Sequence, residues 1–475
     1  MTYVVIGGGI SGISAAITLK ETVGDSARVV LLEKSTSLGG KFRSIKMAGK
    51  VVETGPDSFL TRTTSGLDLV AKLGLADSIV RPTNFSASIY NRGKLYPLPE
   101  GILLGVPTDI IPFLRTASVL SIRGRLRAAF DLVLPRTKLG EDATISHLIR
   151  SRFGKEVDQL LVDPMVGGIN AGSTRDLGLK SVTSQFMTSY QGSNHRSLAR
   201  SMTSLPRAVE VTQVREIPFA SLDDGLDSLI DAAQRYLISI GVEVWTQAEV
   251  IEIHQVSNGY QVELSTENSA SNRAESLETA AIAIAIPADG AARLIKPLSP
   301  LAFEKVSSIS YAGVAMTIMR YPKSAFSRPL NGSGVLVPRT LNKLTTAITF
   351  ASRKWQRLDL YDSEFLRVST GRFGDDRFTR ISDEELASLL ALEVSEILKL
   401  TSEPVESSTW RWGSALPQYR PYHAQLVAAA RQDLSHVKGV MLCGAAFDGV
   451  GIPACIDSGA AAARSMLSID PRGRQ

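Results

Sequence analysis

Cysteine and histidine are scarce in this chain of 475 residues. Two cysteines, Cys443 and Cys455, exclude a disulfide framework and cannot by themselves build a cysteine metal site. His147, His195, His254, His423 and His436 show no HxH or HxxxH pairing, so structural roles are expected for them and no metal site. No apolar run of about 18 residues lacks a charge or a proline, which argues against a membrane-spanning helix. Charge of one sign is also missing. With 52 Lys and Arg against 47 Asp and Glu the net charge is only +5, and no basic run stands out. That excludes a nucleic-acid partner and leaves a modest attraction to acidic ligands or membrane surfaces. No repeat is visible. The chain opens directly on a strand-like segment, so no signal or transit peptide is expected, and a reducing, cytoplasmic location follows.

Glycine is abundant where chemistry is expected. The opening MTYVVIGGGISGISAAITLK and the following ARVVLLEK read as strand, glycine turn, helix and strand, the right-handed crossover of a dinucleotide-binding domain. The pattern over residues 86–210 turns helical, as in ISHLIRSRFGKEVDQLLVDPMV. Strands return over 211–287 (GVEVWTQAEVIEIHQV, YQVELST and AAIAIAI), with a polar turn at NSASNRAES. Residues 288–425 mix strands (GVAMTIMRY, FLRVSTGRF) with a helix, SDEELASLLALEVSEILKL. The last part, 426–475, repeats strand, glycine turn and helix. The expected class is therefore α/β and α+β. Residues 1–85, 211–287 and 426–475 build one discontinuous Rossmann-like domain, 288–425 a mixed-sheet substrate domain, and 86–210 a helical insert.

Gly7, Gly9 and Gly12 satisfy G-x-G-x-x-G, in a turn that also contains Gly8, Ile10 and Ser11. The first glycine makes the turn, the second admits a pyrophosphate and the third lets helix and strand pack closely. Glu33 closes the second strand, followed by Lys34. A carboxylate there accepts from ribose hydroxyls and repels a 2′-phosphate, which leaves NAD or FAD. Gly39-Gly40-Lys41 separates these two. A plain NAD fold has no need of a second glycine pair at that place, whereas an FAD protein of the glutathione-reductase-like kind does, and a basic residue at 41 can face the phosphates. The expected cofactor is FAD, bound non-covalently.

At these residues the sequence resembles the family that contains monoamine oxidases, phytoene desaturases and protoporphyrinogen oxidases. The turn Glu53-Thr54-Gly55-Pro56-Asp57-Ser58-Phe59 matches one that, in the family, sits against the flavin ring, so Gly55, Pro56, Asp57 and Ser58 are implied contacts. LVDPMVGGINAG (161–172) and FASLDDGLDSLIDAA (219–233) match further blocks. The strand AEVIEI is implied to set the Val250 backbone on the adenine end, and RWGSALPQYRPYH to bring Trp412 near the isoalloxazine. In GAAFDGVGIPACIDSG, Gly444, Val450, Gly451 and Ile452 bring a second helix N-terminus to the flavin, with Ala454 where members typically have aspartate. Cys455 in this loop reads as a small buried side chain.

The resemblance runs over essentially the whole chain and is strongest to bacterial porphyrinogen oxidases of the coproporphyrinogen III oxidase type. It implies a six-electron oxidation in heme biosynthesis, two electrons at a time through the flavin, with three O2 reduced to three H2O2. Protoporphyrinogen IX is the alternative substrate. No catalytic side chain is expected, because the flavin carries the chemistry and aromatisation drives it. The mitochondrial branch holds a propionate with an arginine just before the block that here reads YNRGKLYPLP, and this chain has Ala87 there. Other cations are then needed, and Arg123 and Arg127, at i and i+4 in SIRGRLRAAFDLVLPR, are the candidates. A peripheral membrane contact and a ferrochelatase partner are further expectations. An amine oxidase or desaturase is disfavoured because the loop GVGIP offers no aromatic to the flavin face. A binding-only escort protein of prenylated GTPases is disfavoured by the complete set of Gly turns, Glu33 and Lys41.

Overall fold

Five parallel strands lie side by side in the order Glu243–Trp245, Arg28–Leu32, Thr2–Ile6, Ala281–Ile284 and Val440–Leu442. Their sequences are nearly continuous apolar runs, as burial on both faces requires. Tyr3 and Val5 join one core, with the helices Ile10–Val23, Asp227–Ser239 and Ile452–Leu467. Val4 and Ile6 join the other. It is covered by helices Ala288–Ile295, Pro300–Ser307 and His423–Leu434 and by an antiparallel sheet of Val250–Val256, Gly259–Leu264 and Ser276–Thr279. Residues 1–203, 217–265 and 276–468 are described by this computed structural model. The expected boundary at 210/211 and all but the last residue of the turn NSASNRAES (268–276) lie outside them.

A seven-stranded mixed sheet forms the second body, in the order Glu406–Pro417, Tyr311–Pro322, Ser363–Thr370, Thr345–Phe350, Gly334–Leu336, Ala87–Asn91 and Lys94–Pro97. The helix Asp383–Leu398 starts at Ser382, whose hydroxyl accepts from the Glu385 N–H at 3.2 Å. Its Leu386, Leu390, Val394 and Ile397 recur at helical spacing and pack on Val335, Ile348, Leu366 and Val368. Side chains alternate along each strand, so the opposite face carries Leu336, Ala347 and Ser369 in one cross-strand row and Thr349 with Arg367 in the next.

The segment read as helical from residue 86 does not begin so. Ala87–Asn91 and Lys94–Pro97 pair as a hairpin on the edge of the seven-stranded sheet, and helices start only at Ile110. The reason is local. Arg92 and Gly93 both take positive φ, +50° and +72°, the two-residue turn whose twist suits a hairpin. From Ile110 on, helices including Ile110–Thr116, Ile122–Ala129, Ile145–Phe153, Asp163–Asn170 and Ser184–Gly192 share a core of Phe113, Leu148, Phe153, Leu161 and Phe186. Inside this unit Arg152 and Asp131 form a fully buried pair at 2.7 Å. Asp131 also accepts from the N–H groups of Leu198 and Ala199, so the ions are compensated.

Candidate functional site

The first glycine turn is shaped by two opposite demands. A Cβ at Gly12 would stand 1.8 Å from the Gly7 carbonyl oxygen, so helix and strand approach closer than any side chain allows. A Cβ at Gly9 would meet nothing within 4 Å. Gly9 caps the helix Ile10–Val23 without a side-chain hydrogen bond, leaving the first-turn N–H groups of Ile10, Ser11 and Gly12 beside open space. The buried Glu33 carboxylate accepts from the Gly8 N–H at 2.7 Å and the Ser35 N–H at 2.8 Å, which fixes it at the mouth of the turn. Lys34 is exposed.

The second glycine pair crosses the first turn: the Gly39 N–H donates to the Gly8 carbonyl at 2.8 Å, and a Cβ at Gly40 would lie 3.3 Å from the Gly9 Cα. Lys41 follows, half-buried, its ammonium 6.0 Å from the centre of the Tyr311 ring. Among the described residues no carboxylate lies within ion-pair distance of it. Burial pushes its pKa down from the usual lysine value, which an anion would reverse.

The C-terminal loop arrives from the other side. Gly444 follows the strand Val440–Leu442 and sits against Ser11, and a Cβ at Gly459 would meet the Ser11 carbonyl at 2.0 Å. Half-buried Val450 and Gly451 lead into buried Ile452, where Gly451 caps the last helix, again without a side-chain bond. Two uncapped helix N-termini and a lysine offer donors of the kind a pyrophosphate needs, the fixed carboxylate is an acceptor for ribose hydroxyls, and the space at Gly9 would admit both groups. The residues fit the group.

The turn 53–58 is locked from a distance. A Cβ at Gly55 would fall 2.0 Å from the Lys41 carbonyl, and Trp412 Nε1 donates to the Thr54 carbonyl at 3.1 Å. Asp57 accepts from Lys354 Nζ at 2.9 Å, Arg367 at 2.7 Å and Trp355 Nε1 at 3.2 Å, and Ser58 Oγ lies 3.0 Å from it. Burial would raise its pKa, but Lys354 and Arg367 prevail and hold the carboxyl well below the carboxylate range. Arg367 also donates to the Gly55 carbonyl at 2.6 Å, alongside the half-buried Pro56. Buried Glu53 pairs with Arg357 and accepts from the Leu226 N–H, tying in the block 219–233. Sequence reading missed Lys354, Trp355, Arg357 and Arg367. The one available signal was a lone arginine inside the apolar strand FLRVST.

Val250 opens a strand of the small antiparallel sheet, two residues beyond Ala248, whose N–H donates to the Glu33 carbonyl at 2.9 Å. Trp412 reaches the turn, as its bond to Thr54 shows. The candidate cations fare differently. Arg127 donates to the carbonyls of Arg150, Ser151 and Arg152 at 2.9–3.1 Å, closing the C-terminus of the helix Ile145–Phe153. Its guanidinium serves that helix end. Arg123 is exposed on the same helix, beside a row of exposed apolar side chains.

Comparison with known proteins agrees with this geometry. A coproporphyrinogen III oxidase of Bacillus subtilis (strain 168) is 30% identical over 473 residues, covering 98% of this chain and 97% of the relative. A protoporphyrinogen oxidase of Macaca fascicularis is 30% identical over 498 residues, covering 99% of each. A solved structure from Exiguobacterium sp. 255-15 superposes with a TM-score of 0.86 at 26% identity, covering 98% of both chains. The family model described as flavin containing amine oxidoreductase matches residues 10–467, from the first helix N-terminus of the cradle to the end of the last helix. This chain belongs to the flavin-containing amine oxidoreductases.

Proposed function

We propose that the chain is an FAD-dependent, oxygen-using oxidase that converts coproporphyrinogen III to coproporphyrin III, with the FAD held non-covalently. The observation that carries this reading is the full-length likeness to a relative named for that activity, combined with a complete dinucleotide cradle. When bound, the flavin supplies a two-electron acceptor, and O2 takes the electrons away. The protein's own part is to position and to exclude water. Lys354 and Arg367 hold Asp57, and with it the turn that faces the flavin ring. Trp412 fixes the Thr54 carbonyl, and the sheet face of Leu336 and Ala347 offers an apolar wall. Tyr311 contributes no base: burial pushes its pKa up to about 12, and its hydroxyl accepts from the Ala288 N–H at 2.9 Å.

The test is kcat/KM in air for coproporphyrinogen III and protoporphyrinogen IX, followed by porphyrin fluorescence. The four-propionate substrate is expected to win by about tenfold or more, since a site built for a polar group rejects an analogue lacking it. Three H2O2 should appear per porphyrin. The reverse preference would install protoporphyrinogen IX, the substrate in the name of the macaque relative, as the alternative. Turnover of neither, with flavin bound, would leave an amine oxidase or desaturase.

Among the described residues no helix is long and apolar enough to cross a membrane. A cytoplasmic enzyme with a peripheral membrane contact is proposed instead. Ile122, Leu126, Phe130 and Val133 recur at helical spacing and are 77%, 60%, 55% and 69% exposed, with Ile111 at 60% beside them. Exposed Arg115 and Arg123 flank the row, which suits an anionic lipid surface. Vesicles containing phosphatidylglycerol are expected to pellet the protein and phosphatidylcholine vesicles to leave it in solution, with Leu126→Asp reducing the bound fraction severalfold. No binding to either would return the face to a protein partner such as a ferrochelatase.

A further inference from the structure

The strands Gly334–Leu336 and Ser363–Thr370 run in the same direction and leave the seven-stranded sheet at the same edge. Three residues beyond Leu336 comes Arg339, and three beyond Ser369 comes Arg372. Arg339 donates to the carbonyls of Gly172 and Phe373, both at 3.3 Å, and Arg372 to that of Lys343 at 3.3 Å. Arg372 is only 9% exposed. Among the described residues the Nε atoms of both arginines are buried without a hydrogen-bond partner.

The nearby carboxylates do not resolve this. Asp163 turns its Oδ2 toward the Arg339 Nε, but at 4.0 Å, too far for a hydrogen bond, while its Oδ1 accepts from Ser173 Oγ and from the Thr174 N–H. Asp375 lies 3.9 Å from the Arg372 Nε and is held by Arg377 in a two-point contact at 2.8 Å. Burial and the neighbouring Arg339 push the Arg372 pKa down, against the pull of Asp375 and Asp163. Two guanidinium groups are thus kept together with donors unused, an arrangement that a further anion would relieve.

Their position says which anion. The Gly172 loop is wedged against Gln418, whose Nε2 donates to the Asn170 carbonyl at 2.9 Å, and Tyr419 beside it reaches the Ala445 carbonyl in the C-terminal glycine loop. Leu336 lies 3.7 Å from where a Cβ on Gly168 would stand, in the same segment. The arginines therefore sit where the helical unit, the sheet and the flavin-side loop meet. They follow the strand ends just beyond the row Leu336–Ala347–Ser369, and Arg367, which holds the Asp57 turn, lies about 7 Å along its strand from Ser369 in the other direction.

We propose that Arg339 and Arg372 form the receptor for a propionate of the substrate, at the end of the apolar face remote from Arg367. The proposal rests on the porphyrinogen reading above. It fills the role that Ala87 cannot. A tetrapyrrole with a propionate on every ring has one to offer at either end of such a face, whereas a vinyl group on the ring that faces the arginine pair would leave it without its anion.

The test is binding of coproporphyrin III and of its tetramethyl ester to the yellow holoenzyme, by fluorescence quenching, for the wild type, Arg339→Gln, Arg372→Gln and Arg372→Lys. The wild type should prefer the free acid, with an affinity that weakens as salt rises. Either Gln variant is expected to lose tenfold or more in affinity for the acid, to change less than twofold for the ester and to keep its flavin. Should a Gln variant shed its flavin, Arg372→Lys decides: it keeps the charge but not the two-point fork, and a clear loss for the acid alone supports the assignment. Equal affinity of all flavin-retaining variants for the acid overturns it. A wild type that binds neither porphyrin and does not oxidise coproporphyrinogen III overturns instead the functional reading on which it stands.

Discussion

Asp57→Asn is expected to destabilise the protein by about 3–5 kcal/mol and to loosen its flavin, because it removes the one anion between the buried Arg367 and the half-buried Lys354. Lys354 and Arg367 both point at this carboxylate, which is 8% exposed, and asparagine keeps the shape while deleting the charge. The effect carries a pH signature. The folded carboxyl has a depressed pKa, so its contribution is complete above the ordinary value of about 4 and is lost as pH falls through that value and below. Melting temperatures from pH 7 down to pH 3 should therefore fall more steeply for the wild type than for the variant, and the two should converge in acid. Parallel curves would show that the turn is held by something other than this charge. Adding Arg367→Met to Asp57→Asn should recover part of the loss, since the pair is coupled.

The second large effect separates two glycines of the same turn. Gly12→Ala is expected to prevent the first domain from forming, because the new Cβ would lie 1.8 Å from a backbone oxygen. Gly9→Val should fold: its backbone is ordinary extended chain (φ −72°, ψ 175°), and a Cβ there touches no protein atom. What the valine fills is the space in front of the helix N-terminus. The expected product is a folded, colourless protein whose flavin affinity is down a hundredfold or more, about 2.7 kcal/mol. Far-UV circular dichroism and flavin absorbance on the same sample check both halves. A yellow Gly9→Val protein with unchanged affinity would move the pyrophosphate away from this turn.

These two sites also show what a sequence can disclose. Gly7, Gly9 and Gly12 were legible because close backbone approach admits only one residue type and their spacing is short. Glu33 and the final strand–turn–helix were legible for the same local reason. The groups that hold the Asp57 turn were not. Lys354, Trp355 and Arg367 lie some 300 residues away; the register of the seven-stranded sheet brings in Arg367, and the short helix that follows the strand Thr345–Phe350 brings in Lys354 and Trp355. Arg127 illustrates the reverse limit. A basic helix face was visible, but the carbonyls it closes belong to another helix. The hairpin at 87–97 was hidden because its turn residues, Arg92 and Gly93, are not the Asn-Gly pair that usually signals one.

The parallel sheet sets an order on synthesis. Its central strand, Thr2–Ile6, precedes the other strands of the sheet and finds Arg28–Leu32 almost at once, but its other edge must wait for Ala281–Ile284. At roughly 5–20 residues per second the nascent chain carries an open apolar edge for tens of seconds. Such an edge is a template for unwanted pairing. The last strand and the helix Ile452–Leu467 come later still, and they supply half of the cradle. Flavin capture therefore waits until this last strand and helix have been made. A chain stalled before residue 440 should be a colourless client of chaperones, however well its opening motif is preserved.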